Sequence, residues 1–348
     1  MISQKLSNSL RVANLFCTIL VVAIHYNTKH DMDLSLGYTW NYYIQELLTN
    51  GIARIAVPFF AFIAGFFFFV SYKGMSNYRF AVKKRINSLF IPYVLASISI
   101  FIVEYIYGVI QWSLSLDNYA YLLRDVFFSP ISVQFWFLRD LMFLVLITPL
   151  IFLLVKHLKL LAIVFVMTLW FFDIELMPLL AGRYFITIET LSFFTLGCYC
   201  AQNTHLLERL VTGISNKALL SVVGFYLFLC IFRIIIEPDM ANWYTDKYQI
   251  HTLIIQNISI FIGVFLVISL SSKAIHQKFL YLSQFTFFVY IFHLLPLSHL
   301  VGKITSYMIS DAHKFYLTFP LATLLVFITA YLVKEKTPIV YKILSGNR

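Results

Sequence analysis

The chain has 348 residues, of which 60% are hydrophobic and only 12% are charged, and its mean hydropathy is +0.82. These values exclude an ordinary soluble domain and indicate a protein with many membrane-spanning segments. The formal net charge of +10 is dispersed over alternate polar breaks, so it predicts membrane topology and contact with anionic lipids, and no nucleic-acid partner is expected.

Apolar segments long enough to span a membrane recur along the whole chain. A spanning helix needs about 20 mostly apolar residues. In chain order, the predicted spans are residues 10–28, 52–72, 88–110, 135–155, 160–177, 184–202, 217–236, 251–271, 283–301 and 315–333. We therefore predict an all-α, polytopic membrane helical bundle of about 10 transmembrane helices, with residues 1–348 forming a single membrane-embedded domain.

The lysines and arginines in the breaks predict the orientation of the bundle, because cytoplasmic segments carry the excess of positive charge. With the N-terminus inside, 17 of the 26 lysines and arginines fall on the cytoplasmic side, which predicts that both termini are cytoplasmic.

The first span follows Lys5 and Arg11 but is not followed by a small-residue cleavage site, so we expect it to be retained as an anchor. The four cysteines fall inside predicted helices and are expected to be free packing residues, and no His or Cys spacing predicts a metal site.

An ionisable residue interrupts the first predicted span. His25 lies fourteen residues after Arg11, a rise of about 21 Å at 1.5 Å per residue, which places it past the midplane and towards the outer face. At about 100° per residue, Arg11, Asn14 and His25 share one helix face. An ionisable group inside a bilayer costs at least about 2.5 to 3.5 kcal/mol, so we interpret His25 as a functional residue.

Other polar residues lie in or beside the later spans. Arg54 opens the second span, Arg139 opens the fourth, and His293 lies near the middle of the ninth. Snorkelling to the headgroups would explain each arginine equally well, and a helix-to-helix hydrogen bond would explain His293. The five basic residues of the break 73–87 could obey the positive-inside rule alone or also hold the phosphates of a cytoplasmic ligand.

Six segments, in order along the chain, match motifs of one family. They are LRVANLFCTILVVAIHYN with Val21 and His25, RIAVPFFAFIAGFFFF with Arg54, Pro58, Phe59 and Gly65, KKRINSLFIPY with Lys84, Arg85, Pro92 and Tyr93, FWFLRDLMFLVLITP with Trp136, Phe137, Arg139 and Pro149, SFFTLGCYCA through Gly197, and LSQFTFFVYIFHLLP with Ser283, Phe287, Tyr290 and His293. In this pattern the sequence resembles the membrane-bound acyltransferase family 3, the multi-spanning bacterial O-acyltransferases that modify surface sugars, in its stand-alone type.

The sequence departs from the family pattern at two positions. Asn14 stands where the family has an arginine eleven residues before the histidine, and the nearest arginine is Arg11, on the same face one turn closer to the cytoplasm. Ala64 replaces the serine of the family's Ser-Gly pair. Arg11 is therefore the residue expected to take over the donor-facing role.

The resemblance implies transfer of an acyl group, most often acetyl from acetyl-CoA, to a hydroxyl of a surface or lipid-linked carbohydrate in the bacterial inner membrane. Acyl-CoA would be a substrate, and no permanently bound cofactor is expected. Our hypothesis is that Arg11, Lys84 and Arg85 meet the phosphates of the donor. His25 would act as general base or, alternatively, as a transient acyl carrier.

Arg139 and Arg54 are the candidates for holding either the developing oxyanion or an anionic, lipid-linked sugar. Asn14, Trp136, Tyr290 and His293 are further candidates for the site. The alternative function is a transporter or flippase for a lipid-linked sugar, which would use the same buried polar cluster without bond chemistry. Radiolabel passing from acetyl-CoA to glycan distinguishes the two.

Overall fold

The computed structural model describes residues 2–29, 32, 37–108, 132–174, 176, 178–179, 183–184, 186–238 and 248–346. Within these ranges the regular structure is almost entirely helical, which confirms the predicted all-α class. The strands in the described part of the chain are β1 (Pro178–Leu179) and β2 (Arg183–Tyr184), which pair antiparallel with Leu179 opposite Arg183.

The helices are numbered in chain order. The first nine are α1 (Gln4–His25), α2 (Trp40–Glu46), α3 (Ala56–Ser71), α4 (Tyr78–Arg85), α5 (Ile91–Ile106), α6 (Trp136–Leu146), α7 (Thr148–Leu158), α8 (Leu160–Phe171) and α9 (Ile188–Gln202). The others are α10 (Thr204–Thr212), α11 (Asn216–Ile236), α12 (Ile250–Lys273), α13 (Gln277–Leu282), α14 (Thr286–Phe292), α15 (Leu297–Ser306), α16 (Phe315–Lys336) and α17 (Pro338–Leu344). Two π-helical segments, Leu47–Ile52 and Ile86–Phe90, lead into α3 and α5.

Each of the ten predicted spans contains helix among its described residues, but not all are single long helices. Six continuous helical stretches among the described residues are long and apolar enough to cross a membrane, or up to eight if each of two bent helix pairs is one span. The six stretches are Gln4–His25, Trp40–Ser71, Met75–Ile106, Asn216–Ile236, Ile250–Lys273 and Phe315–Lys336. Helices α8 and α9 have 12 and 15 residues, fewer than a straight crossing needs. The count of ten and the orientation of the termini stay predictions.

The second span begins earlier than predicted. Helix already starts at Trp40, capped by the Thr39 side chain, and runs through a π-helical segment into α3. The sequence analysis began this span at residue 52 because it assigned residues 29–51, which include Glu46 and Asn50, to a polar outer break. Both of these side chains are buried, so part of the polar break before the second span is packed helix.

Two other predicted spans are broken. The fourth bends by 67° between α6 and α7, where Pro149 in the first turn of α7 has no amide N–H to continue the hydrogen bonds of α6. The ninth bends by 86° between Phe292 and Leu297, a break that contains Pro296.

The sixth predicted span begins at Ile188 instead of residue 184, because Thr187 caps the helix by accepting a hydrogen bond from the Thr190 amide.

Helices α3 and α9 cross with their backbones in close contact, and two glycines of the matched motifs permit it. A Cβ atom on Gly65 would lie 2.2 Å from the carbonyl oxygen of Phe194, and one on Gly197 would lie 2.3 Å from that of Phe62. Both distances are far below van der Waals contact, so no larger residue fits either position. Small residues allow this kind of close backbone packing in membrane helices.

Helix α1 is the central element around which the site is built. It packs against α3, α12 and α14, and its buried residues belong to the main apolar core. The four cysteines are buried and free, as predicted. Because α1 touches the later helices along its length, polar groups on its surface meet partners far away in the sequence.

Candidate active site

The predicted polar face of α1 is confirmed, since all three of its residues meet the segment from α13 to the break after α14. Arg11 donates through Nη2 to the carbonyl oxygen of Leu280 at 3.1 Å, and Asn14 donates through Nδ2 to Thr286 Oγ1 at 2.6 Å. The rings of His25 and His293 have their centroids 5.1 Å apart. One helix face therefore links an exposed arginine at its start to a pair of imidazoles at its end.

His293 lies at a helix end and is completely buried. The sequence analysis placed it near the middle of a span, whereas the structure places it as the residue that ends α14, at the bend. Its Nδ1 lies 2.8 Å from the carbonyl oxygen of Tyr290 and 3.2 Å from that of Val289. No residue in the described part of the chain hydrogen-bonds its Nε2.

Tyr290 and neighbouring aromatic rings form a wall beside the two imidazoles. The Tyr290 ring lies 6.1 Å from that of His293 and packs edge-on against Phe60 and Phe137 at 5.9 and 6.1 Å. Its hydroxyl donates to the backbone carbonyl of Gln134. The ring centroid of Trp136 lies 6.0 Å from that of Phe137. The structure thus gathers His25, His293, Tyr290 and Trp136 into one region.

Arg139 lies in a buried cluster centred on Asp140. One Asp140 carboxylate oxygen accepts from Arg139 Nη2 at 3.1 Å, and the other accepts from the Thr187 amide at 3.0 Å and from Thr190 Oγ1 at 3.2 Å. Asp140 is fully buried and interacts electrostatically with Tyr290. The charge of Arg139 is therefore compensated beside the aromatic wall.

A second buried charge cluster joins Glu46 to two cations. Arg233, which is fully buried, donates from both Nη1 and Nη2 to Glu46 Oε1 at 3.1 Å and from Nε to Gln256 Oε1 at 2.9 Å. The other Glu46 oxygen pairs with Lys29 and accepts from Asn50 Nδ2 at 2.8 Å. The cluster ties the chain just beyond α1 to α2 and α11.

Arg54 belongs to the surroundings of this second cluster. It is close enough to Lys29, Arg233 and Glu189 to interact with each electrostatically. Arg139 pairs directly with Asp140, whereas Arg54 lies near the cations of the Glu46 cluster and near Glu189, which precedes Thr190 of the Asp140 cluster. The role of either in holding an oxyanion stays a prediction.

The sequence analysis missed Glu46, Asn50 and Lys29 as site neighbours because it assigned them to an outer break. A signal was present, since Glu46, Asn50 and Arg54 recur at intervals of four residues and so lie on one face of a helix. That pattern would have extended the second helix backwards. Their partners on α11 and α12 could not be found in this way, because the contacts span about two hundred residues.

An open polar cleft lies at the other end of α1. It has a volume of about 460 Å³ and is lined by Gln4, Asn8, Arg11, Gln277, Leu280, Tyr281 and Gln284. Lys334 reaches its edge by donating to Gln284 Oε1 at 2.6 Å. Lys84 and Arg85, which were predicted to meet the donor phosphates with Arg11, are not among the described residues that line the cleft. The Arg85 guanidinium lies 5.6 Å from the ring centroid of Phe68, and Lys84 is exposed.

Comparison with known proteins adds one finding to this geometry. A family model described as an acyltransferase domain, that of acyltransferase family 3, matches residues 8–334. No curated protein and no solved structure matches the chain. The matched range contains the imidazole pair, both charge clusters, and the part of the cleft that includes Arg11.

Proposed function

Because the chain belongs to acyltransferase family 3, and is thus a multi-pass membrane acyltransferase, we propose that it is an O-acetyltransferase of the bacterial inner membrane. The donor is cytoplasmic acetyl-CoA, and the acceptor is a hydroxyl of a surface or lipid-linked carbohydrate. The observation that carries the proposal is the single face of α1, which joins the cleft at Arg11 to the imidazole pair at His25.

The length of this face suits a donor with a long flexible arm. Arg11 and His25 are fourteen residues apart on an unbroken helix, a separation of about 21 Å. The phosphates of acetyl-CoA would bind at the cleft, where Arg11 and Lys334 bring positive charge. The pantetheine arm would then carry the thioester along α1 towards His25. Lys84 and Arg85 would be a second contact for the donor phosphates or for anionic lipid.

Acyl transfer at His25 balances without a further reactant. The neutral imidazole takes the proton of the acceptor hydroxyl while the hydroxyl oxygen attacks the carbonyl carbon of the thioester. The new C–O bond forms, the C–S bond breaks, and the proton passes from the imidazolium to the departing thiolate. Imidazole suits both steps because its ordinary pKa of about 6.5 is close to working pH.

Of the two candidate arginines, we propose Arg139 for the oxyanion. In support, its partner Asp140 interacts electrostatically with Tyr290, whose ring centroid lies 6.1 Å from that of His293. A fixed positive group near the developing charge is the usual means of stabilising a tetrahedral intermediate. Arg54, near Lys29 and Arg233, would instead face an anionic part of the acceptor.

The test is transfer of radiolabel from acetyl-CoA to glycan in membranes that contain the protein. His25→Ala is expected to abolish transfer while membrane insertion stays normal, because it removes the base. His157→Ala is the matched control, since His157 is an exposed residue at the end of α7. Full activity of the His25 variant would overturn the assignment of His25, and movement of unlabelled glycan without any acetylation would favour the transporter.

A further inference from the structure

The tautomer of His293 is determined by its backbone partners. Both atoms near Nδ1 are carbonyl oxygens, at 2.8 and 3.2 Å, and a carbonyl oxygen can only accept. The proton of the neutral ring must therefore be on Nδ1, which leaves a lone pair on Nε2. No described residue donates to that lone pair, although the side chain is completely buried.

A buried acceptor without a donor costs about 1–3 kcal/mol, so an unfilled Nε2 calls for a partner. The ring of His25 is a direct neighbour, with its centroid 5.1 Å away and its plane tilted by 47°. Such a tilted arrangement is not a stacked one, and it allows the edge of one ring to face a nitrogen of the other. A rotation of the His25 side chain that turns a ring N–H towards Nε2 would supply the missing donor.

The two histidines are also fixed relative to each other through the backbone. Tyr26, the residue after His25, donates its hydroxyl to the backbone carbonyl of His293 at 2.7 Å. The amide of His293 donates in turn to Val289 at 2.9 Å. The end of α1 is thereby held against the end of α14, so the distance between the two rings is set by packed elements.

We propose that His293 is a positioning residue for His25: its Nε2 accepts one ring N–H of His25 and thereby directs the lone pair of the other His25 nitrogen at the acceptor hydroxyl. The inference rests on the proposed function. It assigns to His293 the part that an orienting carboxylate plays beside the base in hydrolase triads.

A neutral orienting group suits a site inside a membrane. An unpaired carboxylate there would cost several kcal/mol to bury, whereas a neutral imidazole whose Nδ1–H is already satisfied costs much less. The buried carboxylates of Asp140 and Glu46 are engaged by Arg139, and by Arg233 and Lys29. The uncharged ring of His293 therefore provides an acceptor next to His25 without adding a charge.

Two variants separate the acceptor role from a structural one. His293→Asn keeps a donor near Nδ1 and removes the acceptor at Nε2, whereas His293→Gln places an amide oxygen near Nε2. We expect His293→Asn to lower kcat at least tenfold, since loss of a general base altogether costs about 100- to 10,000-fold. His293→Gln should retain more of the kcat, and KM for both substrates should change little in either variant.

The outcomes distinguish this inference from the proposed function. An unchanged kcat in His293→Asn, or a kcat in His293→Gln no higher than in His293→Asn, would overturn the positioning role, even if His25→Ala remained inactive. Absence of acetyl transfer in the unsubstituted protein would instead overturn the proposed function. Acetyl transfer is measured in each case on equal amounts of membrane-inserted protein.

Nitrogen-15 NMR of the histidine-labelled, unsubstituted protein provides a test that does not depend on a variant folding. The His293 resonances, assigned by isotope labelling of the Phe292–His293 pair, should show a protonated Nδ1 and a hydrogen-bonded, unprotonated Nε2. His25 should show a single tautomer. A protonated Nε2 on His293, or two tautomers of His25 in exchange, would overturn the inference.

Discussion

Neutralising Glu46 should destabilise the protein strongly. Glu46 is fully buried, and its oxygens accept from Arg233 at 3.1 Å and pair with Lys29. Glu46→Gln leaves two cations facing each other, with side-chain exposures of 0% for Arg233 and 10% for Lys29. Breaking a buried pair in this way costs about 3–5 kcal/mol. At about 2 °C per kcal/mol, the lower figure for large domains, Tm of the detergent-purified protein should fall by about 6–10 °C.

A double-mutant cycle tests whether the loss comes from the pair itself. Arg233→Met alone should also lower Tm, but the double variant should lose less than the sum, with a coupling energy of about 1–3 kcal/mol. Glu335→Gln is the matched control, because Glu335 is exposed on α16 and its neutralisation should change stability by less than about 0.5 kcal/mol. The reasoning would be refuted if the stability losses of the two single variants simply added in the double variant, or if Glu46→Gln had the same Tm as the Glu335→Gln control.

Two further predictions concern the helix crossing and the cleft. Gly65→Ala should prevent recovery of monodisperse protein, because the new Cβ would lie 2.2 Å from the Phe194 carbonyl oxygen. Gly224→Ala is the control and should be recovered normally, since a Cβ there has nothing within 4 Å. A normal yield of Gly65→Ala would contradict the close crossing. Arg11→Gln should raise KM for acetyl-CoA about tenfold or more with little change in kcat, as expected for loss of a charge-assisted hydrogen bond of about 1.5–3 kcal/mol. Lys5→Gln is the control, since Lys5 donates a hydrogen bond to the Thr212 carbonyl outside the cleft. A fall in kcat of Arg11→Gln at unchanged KM would contradict donor binding and place Arg11 in the reaction step.

The polar face of α1 could be predicted from the sequence because it depends only on helix geometry. Arg11, Asn14 and His25 lie on an uninterrupted helix, so the angle between them follows from the residue count. The close crossing at Gly65 and Gly197 was not predicted, because the sequence identified the two glycines only as parts of the matched motifs. Local rules therefore gave the helices and the surface of α1.

The partners of those residues could not be predicted, because they depend on tertiary packing. Glu46 meets Arg233 across 187 positions, and Asn14 meets Thr286 across 272. The bends at Pro149 and Pro296 also escaped the spans drawn from hydropathy, since an apolar window does not register a change of direction. The bend after α14 matters most for the site, because it makes His293 a helix-terminal residue with a free ring nitrogen among the described atoms.

The Asp140 and Glu46 clusters follow one electrostatic rule, and it explains how acyl transfer can occur inside a bundle of this kind. Asp140 contacts Arg139, and Glu46 contacts Arg233 and Lys29, so neither carboxylate is buried without a cation. His25 and His293 can both be neutral at rest. In the proposed reaction a charge appears on His25 only while it holds the proton of the acceptor hydroxyl, and it disappears when that proton reaches the thiolate. The cost of burying charge at the imidazole pair is then confined to the reaction itself, and the resting site remains compatible with a membrane interior.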